Sequence, residues 1–216
     1  MNVFTKGPRT ESASKSRVLQ KGETRERILR VAREHFEANG FDGANVRAIA
    51  KGAGVAAGTV LLHFTDKRDL LHAALFADLE ALIDAEVARP VDEPLEPALR
   101  SLARRFFAYY AERPALSKTL LREALLAEPP WRDRFTGQVT RVHAHVAGLG
   151  AAAKRRGALA EHADPMLLGV TFFAFYYFAL IGWVQGGFVD PAPLFERLLA
   201  EHLRGLAPQP SRRTKR

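Results

Sequence analysis

Apolar residues recur along most of this chain at spacings of three and four, the period that gathers one face of an α-helix. Ile28, Val31, Ala32, His35 and Phe36 make the first such stripe. Thr24 before it suits a helix N-cap, and Asn39-Gly40 after it tolerates a left-handed turn. A short helix is expected from Asn45 to Ala53, with Val46, Ile49 and Ala50 inward and Asn45 as its cap. Gly54 breaks the chain, and Ala56 to Phe64 reads as another short helix. Asp66 with Asp69 three residues on resembles a capping box for a longer helix. Leu71, Leu75, Leu79 and Leu82 form its stripe, which ends before Pro90.

Proline and glycine punctuate the remainder. Leu95, Leu99, Leu102, Phe106 and Tyr109 make one stripe, ended by Pro114; Leu116, Leu120 and Ala124 make another, ended by Pro129-Pro130. Trp131, Phe135, Val139, Val142, Val146, Leu149 and Ala153 carry the clearest helical signal in the chain. A long apolar helix follows from Pro165 to about Val184, and a last amphipathic one, with Phe195, Leu198, Leu199, His202 and Leu206, comes after Asp190-Pro191. No strand-like alternation of useful length and no internal repeat is found. The fold class expected is all-α.

Composition narrows this picture. Hydrophobic residues make up 47% and charged residues 26%, the profile of a folded chain. The absence of cysteine excludes disulfides and cysteine metal sites and is compatible with a reducing cytoplasm. The net charge of +8 points to an anionic partner. The excess is uneven: residues 1–70 hold thirteen basic against eight acidic side chains, and the stretch 208–216 holds four basic and no acidic ones. Residues 1–22 read as a disordered basic arm, 23–69 as one domain, 70–207 as a second, and 208–216 as a basic disordered tail. No apolar run follows the first residues, so no secretory signal is expected.

Three short helices with a glycine turn between the second and third match the helix-turn-helix plan, in which the third helix enters the major groove and the second braces it. Ile28, Phe36, Val46, Ile49, Val55 and Phe64 would form the small core. The stretch Thr24-Arg25-Glu26-Arg27-Ile28-Leu29, then Ala32, Phe36, Gly40-Phe41, Val46-Arg47-Ala48-Ile49-Ala50, Ala53-Gly54-Val55, Gly58-Thr59, His63-Phe64, Lys67 and Leu70-Leu71 resembles the TetR family of bacterial regulators. The resemblance implies a homodimeric transcriptional regulator, a repressor, on a palindromic double-stranded DNA operator. By position, Ala57, Gly58, Thr59 and Val60 would face the groove, and Arg47, His63 and Lys67 would meet phosphates. The sequence departs from the family at Ala56, where Ser or Thr commonly caps the recognition helix, at Ala57, commonly Lys, and at Leu61, often Tyr. A lost cap costs about 1 kcal/mol. With Thr59 as the one polar base reader of that helix, readout leans on thymine methyls, backbone contacts and DNA shape. Lys15, Arg17, Lys21 and Arg25 of the arm could restore electrostatic grip.

The second domain is expected to bind a small apolar or aromatic effector, with Phe106, Tyr110, Leu120, Trp131, Phe135, Phe173 and Tyr177 lining the pocket. Binding there would release the operator, which requires that the effector favour the state that does not hold DNA. Met166 to Phe188 carries no charge and is long enough to cross a bilayer. The resemblance gives another explanation: the last two helices, about 166–186 and 191–206, form the dimer interface, where Gly169 and Ala174 allow close approach. The interface reading is preferred and no membrane is expected. His143 and His145 lie two apart and make poor joint ligands. No metal, no cofactor and no enzymatic motif is expected, and the setting is cytoplasmic. Two other readings compete with the regulator: a helical enzyme or carrier for a lipid-like ligand, and a membrane-tethered interaction protein.

Overall fold

The computed structural model describes residues 9–90, 93–125 and 127–208, and for residues 9–16 and 124–125 the backbone alone. The first eight residues of the expected arm and residues 209–216 of the expected tail lie outside the described residues. Within them every regular element is a helix: α1 (Arg9–Gly43), α2 (Val46–Gly52), α3 (Ala57–His63), α4 (Lys67–Ala88), α5 (Leu95–Glu112), α6 (Pro114–Leu125), α7 (Trp131–Arg155), α8 (Pro165–Val184) and α9 (Ala192–Gly205). They form two compact units, Met1–Leu75 and Phe76–Arg216. The border falls six residues beyond the expected one, because Leu70, Leu71 and Ala74 of α4 are buried in company with α1.

The first unit corrects the reading of the N-terminal segment. Residues 9–22, expected to be disordered, are helical, and Thr24 lies inside α1 instead of capping it. The cause is local. From Arg9 to Asn39 the chain has no proline and a single glycine, Gly22, among strong helix formers. Residues 17–23 of α1 are all exposed, Val18 and Leu19 among them, so that stretch buries no face and leaves no apolar stripe to read. At Gly40 the backbone turns to φ 65°, a conformation glycine adopts freely, and interrupts the helix where the sequence placed its end.

The core of this unit is Ile28, Leu29, Phe36, Ile49, Val60, Phe64, Leu70 and Leu71, all at most 3% exposed. Burying each such side chain contributes roughly 1.5–3 kcal/mol. Polar ties close the unit. Arg27 Nε donates to the Ala53 carbonyl at 2.9 Å and Arg33 Nε to that of Ala74 at 2.8 Å. The helix starts are capped as the residue types suggest. Asn45 accepts from the Arg47 N–H at 2.8 Å. Asp66 accepts from the Asp69 N–H at 2.8 Å, while Asp69 reaches back to the Thr65 N–H at 2.8 Å.

In the second unit α7 and α8 cross with no side chain between them at Gly169. A Cβ added there would lie 2.5 Å from the His143 carbonyl oxygen. The close approach expected of Gly169 at a dimer interface is thus made inside one chain, and Ala174 is exposed. Phe172, Tyr176, Phe107 and Phe195 form an aromatic core, with Phe107–Tyr176 centroids 4.9 Å and Phe172–Phe195 centroids 5.2 Å apart. Ion pairs tie the helices together: Glu196 of α9 receives Arg104 at 2.6 Å and Arg100 at 3.2 Å from α5. Glu86, only 3% exposed, is held by Arg105 at 2.5 Å and Arg89 at 3.1 Å.

Helix α8 is long and apolar enough to cross a membrane. One face of it, Leu168, Phe172, Tyr176, Ala179 and Leu180, is buried within the unit, while Met166, Leu167, Val170 and Phe178 are exposed. Its start is built as a water-facing helix end, with Asp164 accepting from the Met166 N–H at 2.8 Å and Pro165 in the first turn.

Candidate nucleic-acid interface and effector cavity

Helix α3 is set by a turn that glycine makes possible. After α2, Gly54 takes φ 66° and the Val55 N–H donates to the Ala50 carbonyl at 3.0 Å. Ala56 then occupies the cap position in an extended conformation with no side-chain hydrogen bond. The absent cap noted in the sequence is a structural fact.

Inward from α3 points Val60, 1% exposed. This corrects its assignment to the groove: Val60 and Phe64 are four apart, share a face, and both belong to the core. The outward face is Gly58, Leu61 and Leu62, the two leucines 59% and 81% exposed, with Ala57, Thr59 and His63 half-buried beside it. Leu62 was passed over in the sequence, although its place two residues after inward-facing Val60 marks it as outward.

Cations are exposed on α1 and at the start of α2. Arg47 is exposed at the start of α2. Arg17, Lys21 and Arg25 follow one another at four-residue spacing along α1. Arg25 sits 5.3 Å from the Phe64 ring centroid. Burial, then the charges of Lys21 and Arg25, hold the His63 imidazole below its ordinary pKa. In the free chain the neutral form of His63 is therefore favoured at pH 7.

Lys67 differs from expectation. Its ammonium donates to the carbonyls of Asp42 and Ala44, both at 3.2 Å, and lies 4.6 Å from the Phe41 ring centroid. Two of its three protons bind the chain between α1 and α2. Lys67→Ala is expected to lower the stability of the unit by about 1–2 kcal/mol by leaving those carbonyls without this donor. Thermal unfolding checks it; an unchanged midpoint together with weakened DNA binding would return Lys67 to the phosphate role.

This geometry has relatives. Residues 28–74 match the family model described as "Bacterial regulatory proteins, tetR family". Over these residues the chain is similar to the tetR family. Over 69 residues the chain is 39% identical to the HTH-type transcriptional regulator UidR of Escherichia coli K12, which covers 32% of this chain and 35% of that protein. Over 61 residues it is 36% identical to an HTH-type transcriptional regulator of Staphylococcus aureus, covering 28% and 33%. The matches thus span about a third of the length of the curated relatives. Solved structures extend the likeness of fold beyond the TetR domain. A TetR transcription regulator from Haloarcula marismortui superposes with a TM-score of 0.73 at 19% identity, covering 86% of this chain and 99% of that one. FadR from Bacillus subtilis, solved in complex with stearoyl-CoA, gives 0.68 at 21% identity over 84% and 98%.

The second unit contains a cavity of about 30 Å³ among α4, α5, α7 and α8. Of the seven expected pocket residues it gathers Phe106, Tyr110, Phe135, Phe173 and Tyr177, with Phe172, Tyr176 and Gln138 added. Leu120 and Trp131 are elsewhere. Leu120 is buried in α6, and Trp131 packs at a tilt against Phe76, centroids 5.2 Å apart, with Arg134 over its ring at 4.6 Å. Burial raises the pKa of Tyr110, Tyr176 and Tyr177, so their hydroxyls stay protonated. No Lys, Arg, Asp or Glu lines the cavity among the described residues.

Proposed function

We propose that this chain is a ligand-responsive transcriptional repressor that binds a palindromic operator as a homodimer and leaves it when an uncharged effector enters the second unit. The observation that carries the reading is the outward face of α3. It is apolar, set on a helix-turn-helix, and lies near the basic row of α1, whose Arg25 sits over Phe64, while Arg47 is exposed at the start of α2. Such a face reads thymine methyls and groove shape, while the cations fix position on the phosphates. The dimer reading is supported by the uncovered apolar side of α8, where Met166, Leu167, Val170 and Phe178 stand in water in a single chain. A second copy through α8 and α9 covers it. The effector reading rests on the apolar, uncharged lining of the cavity, to which α4 contributes Leu79 and Ile83. The protein works in the cytoplasm, where its DNA is.

The test is binding of purified protein to DNA from upstream of its own gene against random competitor, across a salt series. Saturable binding that survives competitor and weakens steeply with salt is expected. Arg47→Ala should weaken binding to all sequences alike and flatten the salt slope by about one. Thr59→Ala should instead relax sequence choice by about 1–3 kcal/mol at one base position. Equal losses on every sequence from both changes would remove Thr59 from base reading.

A further inference from the structure

Gln138 is a polar residue on an apolar helix face, three residues after Phe135 and four before Val142. It is 3% exposed and lines the cavity. Its Nε2 donates to the Phe76 carbonyl at 3.2 Å and faces a Glu80 carboxylate oxygen at 3.5 Å. Both of those groups only accept, so the amide has one sensible orientation and its Oε1 is turned away from them. That oxygen is buried and has no partner. The Tyr177 hydroxyl, on the cavity wall, is likewise buried with no partner. By contrast, the hydroxyls of Tyr110 and Tyr176 bond to each other. Buried polar atoms are nearly always paired, and an acceptor left alone on a cavity-lining residue is a place where a ligand gains more than it would elsewhere.

We propose that the effector is an uncharged aromatic molecule carrying one O–H or N–H donor, of the phenol or indole class, whose proton is accepted by Gln138 Oε1. This rests on the reading of the cavity as the effector site and specifies its chemistry. The ring lies among Phe106, Phe135 and Phe173, and the donor points to the glutamine. Charged molecules are disfavoured because no counter-charge lines the cavity among the described residues and the buried tyrosines stay neutral. As it stands the void is smaller than the ~150 Å³ known to admit benzene. Entry therefore displaces the stacked pair Phe173 and Tyr177, whose centroids are 5.4 Å apart and which are only half-buried. That displacement on α8 makes the filled state differ from the empty one, which an effector requires.

Matched pairs of probes decide the matter on the unaltered full chain: phenol against anisole, and indole against 1-methylindole, titrated by calorimetry and ligand-observed NMR, with benzoate as the charged control. The donor-bearing member of each pair is expected to bind at least tenfold tighter, and benzoate not at all. Gln138→Met, similar in shape, should bring the members of each pair to within twofold of one another. Equal binding of methylated and unmethylated probes to the unaltered chain would overturn the donor assignment and leave the cavity as an apolar effector site. Failure of every probe to bind protein that still holds DNA would overturn the donor assignment and the cavity reading together.

Discussion

Gly58→Glu is expected to abolish specific DNA binding, by at least about 100-fold or roughly 2.7 kcal/mol, while the protein folds as well as before or better. Gly58 is exposed in the first turn of α3, and a Cβ there meets nothing within 4 Å. Replacing a helical glycine gains about 0.5–1 kcal/mol of backbone entropy, and an acidic group near a helix N-terminus is favourable. The fold has every reason to accept the change. The operator does not, because the new carboxylate enters a groove walled by phosphates and replaces a surface suited to thymine methyls. The opposite signs make the result informative. Thermal unfolding and operator titration on the same preparation separate them. Undiminished binding by a well-folded variant would take α3 out of the interface and with it the central claim about this domain.

Gly169→Ala is expected to cost the second unit about 3 kcal/mol and to lower its unfolding midpoint by roughly 10 °C. The methyl group would come within 2.5 Å of the His143 carbonyl oxygen and 3.2 Å of the His143 carbonyl carbon and Cα. These are backbone atoms in the middle of α7 and cannot rotate away, so the two helices must separate along their whole crossing. Overpacking of this kind typically costs about 1–3 kcal/mol even against movable side chains. Gly148→Ala is the control. It lies in the same helix α7, is exposed, and has nothing within 4 Å of an added Cβ, so it should stabilise by up to about 1 kcal/mol. A Gly169→Ala protein that melts with the unaltered chain would mean that α7 and α8 do not cross this closely.

Much of the candidate interface could be read from residues close to one another in the chain. Asn45, Gly54 and Asp66 do in the structure what their side chains favour, because a cap or a left-handed turn involves neighbours two to five residues away. The uncapped start of α3 follows in the same way from Ala56. Helical period also carried information that positional resemblance obscured. Phe64 inward requires Val60 inward, and Leu61 and Leu62 are then outward. A similar reading would have singled out Gln138, a polar residue in an apolar row. Residues 17–23 of α1 were invisible for a different reason: they are exposed, and apolar stripes report only helices that bury a face.

What the sequence determined by itself is therefore the helical class and the caps and turns of the first unit, since each is encoded in short-range chemistry. The tertiary structure alone decided three other things. It engaged Lys67 with carbonyls more than twenty residues away. It spent the narrow surface of Gly169 on α7 instead of on a partner. It also left one oxygen of Gln138, a residue of the cavity lining, unpaired by bonding the amide nitrogen to Phe76, 62 residues distant. Those outcomes depend on which distant atoms meet after packing, and no local pattern of apolar and polar positions records them.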